Sequence, residues 1–269
     1  MKKYSVYEFK VPKEKFEAVE ELLFSLDCMG TEILSENGEI HFKAYFEKDK
    51  EFPADLNLFV VGKTSLEEKN WLEEWKKYFK PTRVSEKIWV VPSWQKESFQ
   101  VPESSIPIYI YPGQTFGTGT HETTKLVMRF MEKAVKGKES ILDVGCGSGI
   151  LSILAKKLGV KTVVGCDIQK ESLDEVAFNS KLNGVDGIKV VIGSIDDVEG
   201  SFDVVVANIE KHLLEPLIPK ISEKAKDLVI LSGILKKQRE EFLKTLERNN
   251  LKVFLEAGEG EWIAFCCKK

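Results

Sequence analysis

Apolar and polar residues at the start of the chain are spaced first like a strand and then like a helix. Residues 4–11 alternate between the two classes, as in a half-buried strand, and Pro12 ends the run. Residues 13–30 then place apolar side chains on one helical face, with Gly30 as the end signal. That face carries Phe16, Val19, Leu23 and Leu26. The pattern therefore predicts a strand followed by an amphipathic helix.

A hairpin and one further apolar run complete a small predicted domain. Residues 31–35 and 39–46 have the composition of strands and flank Asn37-Gly38, which is a strong turn dipeptide. Another apolar run lies at residues 58–61. Together these segments predict a small α+β domain over residues 1–62.

Residues 65–80 predict a helix with one aromatic face. Ser65 and Glu68 have the spacing of a capping box, which marks the beginning of a helix. Trp71, Trp75 and Phe79 follow at intervals of four residues, so they share one side of that helix. Such a stripe is more often a docking surface than a ligand-binding site. We interpret residues 63–84 as a linker helix.

From residue 85 to residue 269 the pattern predicts a larger α/β domain. Two strand-like runs, 88–91 and 108–111, come first, and apolar strands then alternate with amphipathic helices. This alternation is typical of a parallel, doubly wound sheet. The tail, residues 251–267, instead predicts two strands joined by a short turn. We therefore expect an antiparallel hairpin at the end of an otherwise parallel sheet.

A glycine-rich turn joins the first strand of this sheet to a helix. The turn, residues 145–149, follows strand 141–144 and has the spacing D-x-G-x-G-x-G counted from Asp143. Glycines in such a turn let a ligand approach the backbone and the helix amides. Asp167 ends the next strand, where a carboxylate accepts hydrogen bonds from ribose hydroxyls. Ile150 stands where a dinucleotide fingerprint needs glycine or alanine, which disfavours a nicotinamide dehydrogenase.

Composition and charge favour a cytoplasmic protein that neither spans a membrane nor binds nucleic acid directly. The 269 residues are 43% hydrophobic and 30% charged, without an apolar run near the roughly 20 residues of a membrane helix. Residues 1–80 hold 13 Lys/Arg and 17 Asp/Glu, whereas the remainder holds 26 of each. This acidic first domain suits a basic partner or serves only solubility. Five cysteines without a CxxC pair indicate a reducing compartment.

Other candidate residues carry weaker chemical signals. Cys146 lies inside the glycine turn and is either a nucleophile or, because no base is evident nearby, a small packing residue. His121 is a candidate for lining a substrate entrance. The three histidines form no HExxH motif and join no carboxylate cluster. We therefore expect no metal.

The glycine spacing, the strand-ending Asp167 and the antiparallel tail resemble class I S-adenosylmethionine-dependent methyltransferases. The resemblance narrows at YPGQTFGTGTHETT, residues 111–124, which looks like the segment before the glycine turn in ribosomal protein L11 methyltransferases. Further segments similar to that family at matching positions are WLEEWKKYFKP, WVVPSW, VVANI, LSGIL and the closing GEW. The resemblance implies a Rossmann-like domain with a seven-stranded mixed sheet, preceded by a substrate-recognition domain.

The resemblance also implies that S-adenosylmethionine is the cofactor. The positions that match the cofactor contacts of the family are Thr124, Gly145, Gly147, Asp167 and Asn208. Asn208 ends strand 202–208 at the carboxyl edge of the sheet, and we regard it as the candidate for positioning an incoming amine. From the residues alone, Thr124 is equally a helix cap. For Asn208 the less favoured alternative is a strand-ending turn residue.

The activity implied by the resemblance is methylation of lysine ε-amines and of the N-terminal α-amine of ribosomal protein L11, which is then the partner. Two alternatives stay open. One is a related protein lysine methyltransferase with a different protein substrate. The other is a catalytically silent adenosyl-binding module that assists ribosome assembly.

Overall fold

A computed structural model of the chain describes residues 3–67, 76, 79–113 and 115–269. The chain divides into two compact units, residues 1–79 and 80–269. Within the described ranges, no helix is long and apolar enough to cross a membrane.

The first unit is a four-stranded antiparallel sheet with a helix packed on it. Its elements are β1 (Lys3–Pro12), α1 (Phe16–Ser25), β2 (Gly30–Asn37), β3 (Glu39–Phe46), α2 (Ala54–Asn57) and β4 (Val60–Glu67). The strand order β2-β3-β1-β4 is that of a ferredoxin-like unit in which the second helix is a single turn. Its core stacks Phe9 on Phe42, with ring centroids 5.3 Å apart, beneath the buried Leu23 of α1. The predicted strand, helix and hairpin are confirmed.

Strand β4 differs from its prediction because it continues past residue 62. Its antiparallel pairing with β1 aligns Ser65 with Ser5 and Glu67 with Lys3. The prediction that a helix begins at Ser65 is therefore wrong, since the backbone partners offered by β1 outweigh the local capping-box signal. Trp71 and Trp75, with most of the predicted linker helix, lie outside the described residues.

The second unit begins with a small three-stranded sheet. Its strands are β5 (Thr82–Arg83), β6 (Ile88–Pro92) and β7 (Ile106–Ile110). β5 falls within the predicted linker, but it pairs with β6 and so belongs to the second unit. The strand-like runs predicted around residues 88 and 108 are confirmed.

A seven-stranded sheet forms the centre of the second unit. Its strands are β8 (Ser140–Val144), β9 (Thr162–Asp167), β10 (Ile188–Ile192), β11 (Phe202–Asn208), β12 (Ala225–Leu235), β13 (Lys252–Glu259) and β14 (Trp262–Lys268). The helices are α3 (Glu122–Ala134), α4 (Ile150–Lys157), α5 (Glu171–Asn183), α6 (Lys211–Leu214), α7 (Ile218–Lys224) and α8 (Arg239–Arg248). The order is β10-β9-β8-β11-β12-β14-β13, and β14 is antiparallel to both neighbours. This mixed sheet with its C-terminal hairpin confirms the predicted fold class.

Two buried apolar clusters lie on opposite faces of this sheet. In strand β11, Val204 and Val206 belong to one cluster and Val205 and Ala207 to the other. Successive side chains of a strand point to opposite faces, so a strand covered on both sides must be apolar throughout. Because β8 pairs in parallel with both β9 and β11, the carboxyl ends of the three strands meet at one edge, and this edge carries the polar residues of the predicted site.

Candidate active site

A cavity of about 540 Å³ lies at the edge where β8, β9 and β11 end. Gly145, Gly147, Asp167 and Asn208 all line it. From β8 the chain continues to β9 and β10 on one side of the sheet and then crosses to β11 and β12 on the other side. Open α/β sheets bind ligands in the crevice at such a switch point. The fold thus brings four of the five predicted site residues together.

The cavity has two halves, which the strands define. The glycine-turn half comprises Gly145, Gly147 and Asp167, which follow or end β8 and β9. The amide half comprises Asn208, at the end of β11, with the next two residues, Ile209 and Glu210. A second cavity of about 670 Å³ shares lining residues with the first.

Backbone hydrogen bonds fix the glycine-turn half. The amides of Gly145 and Cys146 donate to the carbonyl of Cys166 at 2.8 and 3.1 Å. The Gly147 amide donates to Asp167 Oδ2 at 2.8 Å. Gly147 has a φ of +48°, and a Cβ there would lie 2.2 Å from the carbonyl oxygen of Phe116. Gly147 therefore serves the packing of the turn against residues 115–121 as well as the cavity.

Asp167 holds the turn and keeps spare acceptor capacity. Its Oδ1 accepts a hydrogen bond from the amide of Gln169 at 2.9 Å, while Oδ2 accepts from Gly147. The residue is only 9% exposed. An ionised carboxylate has about four lone-pair sites, so two hydroxyl donors can still be accommodated. This arrangement suits a vicinal diol such as a ribose.

Residues 115–121 are fastened to the glycine turn. The Ser148 hydroxyl donates to the carbonyl of Gly117 at 2.6 Å, and the Ser148 amide donates to that of Phe116 at 3.0 Å. The Thr115 amide and hydroxyl both donate to the carboxylate of Glu175 in α5. The turn and this segment therefore form one hydrogen-bonded wall of the cavity.

Three aromatic rings line the cavity beside this wall. The His121 ring packs edge-on against Phe116 and Trp262, with centroids 5.6 and 5.3 Å apart. His121 is also the N-cap of α3, because Nδ1 accepts a hydrogen bond from the Thr123 amide at 3.3 Å. The helix-cap alternative for Thr124 is therefore wrong. The suggested position of His121 at an entrance agrees with its place in both cavities.

Asn208 and Thr124 are joined by a side-chain hydrogen bond. Asn208 Nδ2 donates to Thr124 Oγ1 at 3.2 Å. Thr124 is 1% exposed and is absent from the described lining of either cavity. With Nδ2 engaged, Asn208 offers Oδ1 as an acceptor for a donor such as an amine. A direct contact between Thr124 and a ligand stays a prediction.

The charges around the cavity are negative. Asp167 and Glu210 line it, Glu122 lines the adjoining cavity, and the described lining of both contains no lysine or arginine. Asp143 is buried within β8 and accepts a hydrogen bond from Ser152 Oγ at 2.7 Å. Burial raises the pKa of Asp143 to about 6. The acidic lining formed by Asp167, Glu210 and Glu122 favours a cationic ligand.

The structure also separates packing residues from site residues. Cys146 is buried, and burial raises the pKa of its thiol far above the ordinary value, which supports its interpretation as a packing residue. Among the described side chains, no group of three or more His, Cys, Asp or Glu is placed to hold a metal.

Several lining residues are absent from the sequence prediction. Ile168, 79% exposed, directly follows Asp167, and Leu213, 56% exposed, lies in α6. Phe116 and Trp262 stand inside motifs that were recognised without a role for either ring. Only Ile168 carries a local signal in the sequence, because an apolar residue directly after a strand-ending acid lies where a ligand could cover it.

Comparison with known proteins identifies related chains. The family model for "Ribosomal protein L11 methyltransferase (PrmA)" matches residues 39–269. A ribosomal protein L11 methyltransferase of Thermoanaerobacter pseudethanolicus is 35% identical over 263 residues, covering 90% of this chain and 84% of that protein. One from Caldanaerobacter subterraneus subsp. tengcongensis is 37% identical over 223 residues, covering 82% and 71%.

A solved structure is similar as well. The crystal structure of a ribosomal protein L11 methylase from Lactobacillus delbrueckii subsp. bulgaricus is 35% identical, with a TM-score of 0.66. The similarity covers 70% of this chain and 98% of that one. The fold and the sequence motifs therefore point to the same group of proteins.

Proposed function

The chain belongs to the ribosomal protein L11 methyltransferase family, and we propose that it transfers methyl groups from S-adenosylmethionine to amines of ribosomal protein L11. It is an S-adenosylmethionine-dependent protein methyltransferase. The acceptors that we propose are lysine ε-amines and the N-terminal α-amine, since both are primary amines that can act as nucleophiles in their neutral form. The observation that carries this proposal is the juxtaposition of Asp167 and Asn208 in one cavity whose described lining contains no lysine or arginine.

The glycine-turn half fits the cofactor. Asp167 retains two acceptor sites for ribose hydroxyls, and the apolar side chains of Ile168 and Ile195 line the cavity beside it. The negative lining suits the sulfonium and the α-ammonium, which are the two positive charges of this cofactor. When bound, S-adenosylmethionine supplies a methyl group on a positively charged sulfur, activated for transfer to a nucleophile.

The amide half fits the acceptor amine. A lysine amine has an ordinary pKa of about 10.4, so its neutral form at pH 7 costs about 4.6 kcal/mol. Phe116, Trp262 and Ile209 give the cavity that the amine enters an apolar surface, and burial lowers an amine pKa by as much as about 3 to 5 units. Asn208 Oδ1 accepts an N–H and thereby directs the lone pair. No dedicated base is required.

The first unit has a separate proposed role. Residues 1–80 carry the net negative charge of the chain, and we propose that the first unit recognises the basic protein substrate. We also propose a cytoplasmic location, because all five cysteines are free and buried.

The test is methylation in vitro. The purified chain is incubated with S-adenosylmethionine and recombinant ribosomal protein L11, and the product is analysed by intact-mass and peptide mass spectrometry. We expect mass increments of whole methyl groups, mapped to lysines and to the N-terminus. Control substrates with acetylated amines should remain unmodified. Cofactor binding without any methyl transfer would instead support the silent assembly module, and transfer only to other proteins would support a different substrate.

A further inference from the structure

We infer that the Glu210 carboxylate binds the cationic form of the substrate amine at the open edge of the cavity, before methyl transfer. This inference rests on the proposed function and adds a specificity residue to it. Glu210 lines the cavity, and its side chain is 70% exposed, so it stands where the cavity meets solvent. It follows Asn208 by two residues. Because both residues line one cavity, an amine that reaches Asn208 comes near this carboxylate.

The backbone of Glu210 is held firmly although its side chain is exposed. The preceding amide, that of Ile209, donates to the carbonyl of Ser232 in β12 at 3.2 Å. The Glu210 carbonyl accepts from Leu213 and Leu214 of α6, each at 2.9 Å. A Cβ on Gly233 would lie 2.0 Å from the Ile209 carbonyl oxygen, so the strand accepts this close approach only with glycine. The carboxylate is thus presented from a fixed position.

Glu210 is more accessible to a substrate ammonium than Asp167 and Asp143 are. Both oxygens of Asp167 accept backbone amides, and Asp143 is fully buried. Glu210 pairs with His212 at 3.5 Å between Oε2 and Nδ1, and both side chains are 70% exposed. Exposed pairs of this kind contribute little free energy. A substrate ammonium can therefore replace His212 at small cost.

The position of Glu210 separates capture of the amine from transfer. A carboxylate stabilises the ammonium form, which cannot attack a methyl group, so it would hinder transfer if it lay beside the reacting nitrogen. At the solvated edge its effect is limited to attracting the charged side chain. The apolar side chains of Phe116, Ile209 and Trp262, which line the same cavity, then favour the neutral amine once it has left the carboxylate. Glu210 should therefore affect substrate KM and leave kcat nearly unchanged.

The experiment compares Glu210→Gln with Glu199→Gln, which removes the same charge from an exposed position outside both cavities. For Glu210→Gln we expect the KM for ribosomal protein L11 to rise about two- to fivefold, with the kcat and the cofactor Kd unchanged. The KM should also depend less on salt than in the wild type. Glu199→Gln should match the wild type in all four quantities.

Glu210→Lys provides a second variant with a larger expected effect, because a cation at the edge repels the ammonium. An unchanged KM in both Glu210 variants would overturn the inference, and so would a raised cofactor Kd or a kcat loss that exceeds the KM change. Absence of methyl transfer by the wild-type protein would overturn the proposed function itself. The two failures are therefore distinguishable.

Discussion

The two halves of the cavity are built in different ways. In the glycine-turn half, Gly145 and Gly147 are tied by backbone hydrogen bonds to β9 and to Asp167, which is 9% exposed. In the amide half, Asn208 is oriented by a single side-chain bond to Thr124, and Glu210 is mostly exposed. A rigid, buried half suits a ligand that is the same in every turnover. A half that is open to solvent suits amines presented by different parts of a protein substrate.

The largest expected effect is that of a side chain added to the rigid half. In Gly147→Ala, the new Cβ would meet the Phe116 carbonyl oxygen at 2.2 Å, so the turn and residues 115–121 must separate. We expect methyl transfer to fall about 100-fold, with weaker cofactor binding by calorimetry. Gly137→Ala is the control, because it also has a positive φ, +80°, but nothing lies within 4 Å of its Cβ. Equal losses in the two variants would show that backbone strain alone is responsible.

Removal of the Asp167 carboxylate tests the chemistry of the same half. Asp167→Ala loses the acceptor proposed for the ribose and the partner of the Gly147 amide. We expect the cofactor Kd to rise about 10- to 150-fold, which corresponds to about 1.5–3 kcal/mol for hydrogen bonds to a charged group. Calorimetric titration measures it, with the exposed Asp186→Ala as the control. An unchanged Kd in the folded variant would remove Asp167 from the cofactor site.

The buried carboxyl group of Asp143, in the strand that leads into the glycine turn, should make the stability of the protein depend on pH. Burial raises the pKa of Asp143 from 3.8 to about 6. At a pH between these two values, Asp143 is therefore protonated in the folded protein and ionised in the unfolded chain. Stability from this group should therefore decrease as pH rises, by about 2 kcal/mol between pH 4 and pH 6. Urea unfolding at several pH values should show that decrease in the wild type and not in Asp143→Asn. Parallel curves for the two proteins would contradict this assignment.

Changes in the amide half should separate catalysis from cofactor binding. Asn208→Ala removes the acceptor proposed for the amine, and we expect kcat to fall about tenfold with a much smaller change in the cofactor Kd. Thr124→Val removes only the bond that orients Asn208, so its kcat loss should be smaller. A raised cofactor Kd in Thr124→Val would show that Thr124 contacts the cofactor directly, as the family resemblance predicted.

The parts of the fold that the sequence predicted well are those with a continuous local pattern. Strand β11 is apolar at four successive positions, 204–207, because both faces of the sheet are covered, and the sequence identifies it without further information. Residues 65–67 carry a local helix signal, yet they pair with residues of β1 that lie 60 to 64 positions earlier in the chain. Local spacing contains no information about such a distant partner.

In the site, too, the residues that share a local pattern were predictable and those that depend on distant partners were not. The glycine turn and Asp167 belong to one contiguous strand-turn-helix-strand segment, so spacing alone brought them together. The contact between His121 and Trp262 joins residues that lie 141 positions apart in the chain. Glu210 gains its position from Gly233 and Ser232 of the neighbouring strand. Such features depend on tertiary packing and could be found only in the structure.

The most direct test of the two-half account is the rate of methyl transfer as a function of cofactor concentration in Asp167→Ala and Asn208→Ala. Saturating S-adenosylmethionine should bring the turnover of Asp167→Ala close to the wild-type value, because only binding is weakened. The turnover of Asn208→Ala should remain low at every cofactor concentration. Full recovery of Asn208→Ala at high cofactor, or no recovery of Asp167→Ala, would contradict the division of the cavity into a cofactor half and an amine half.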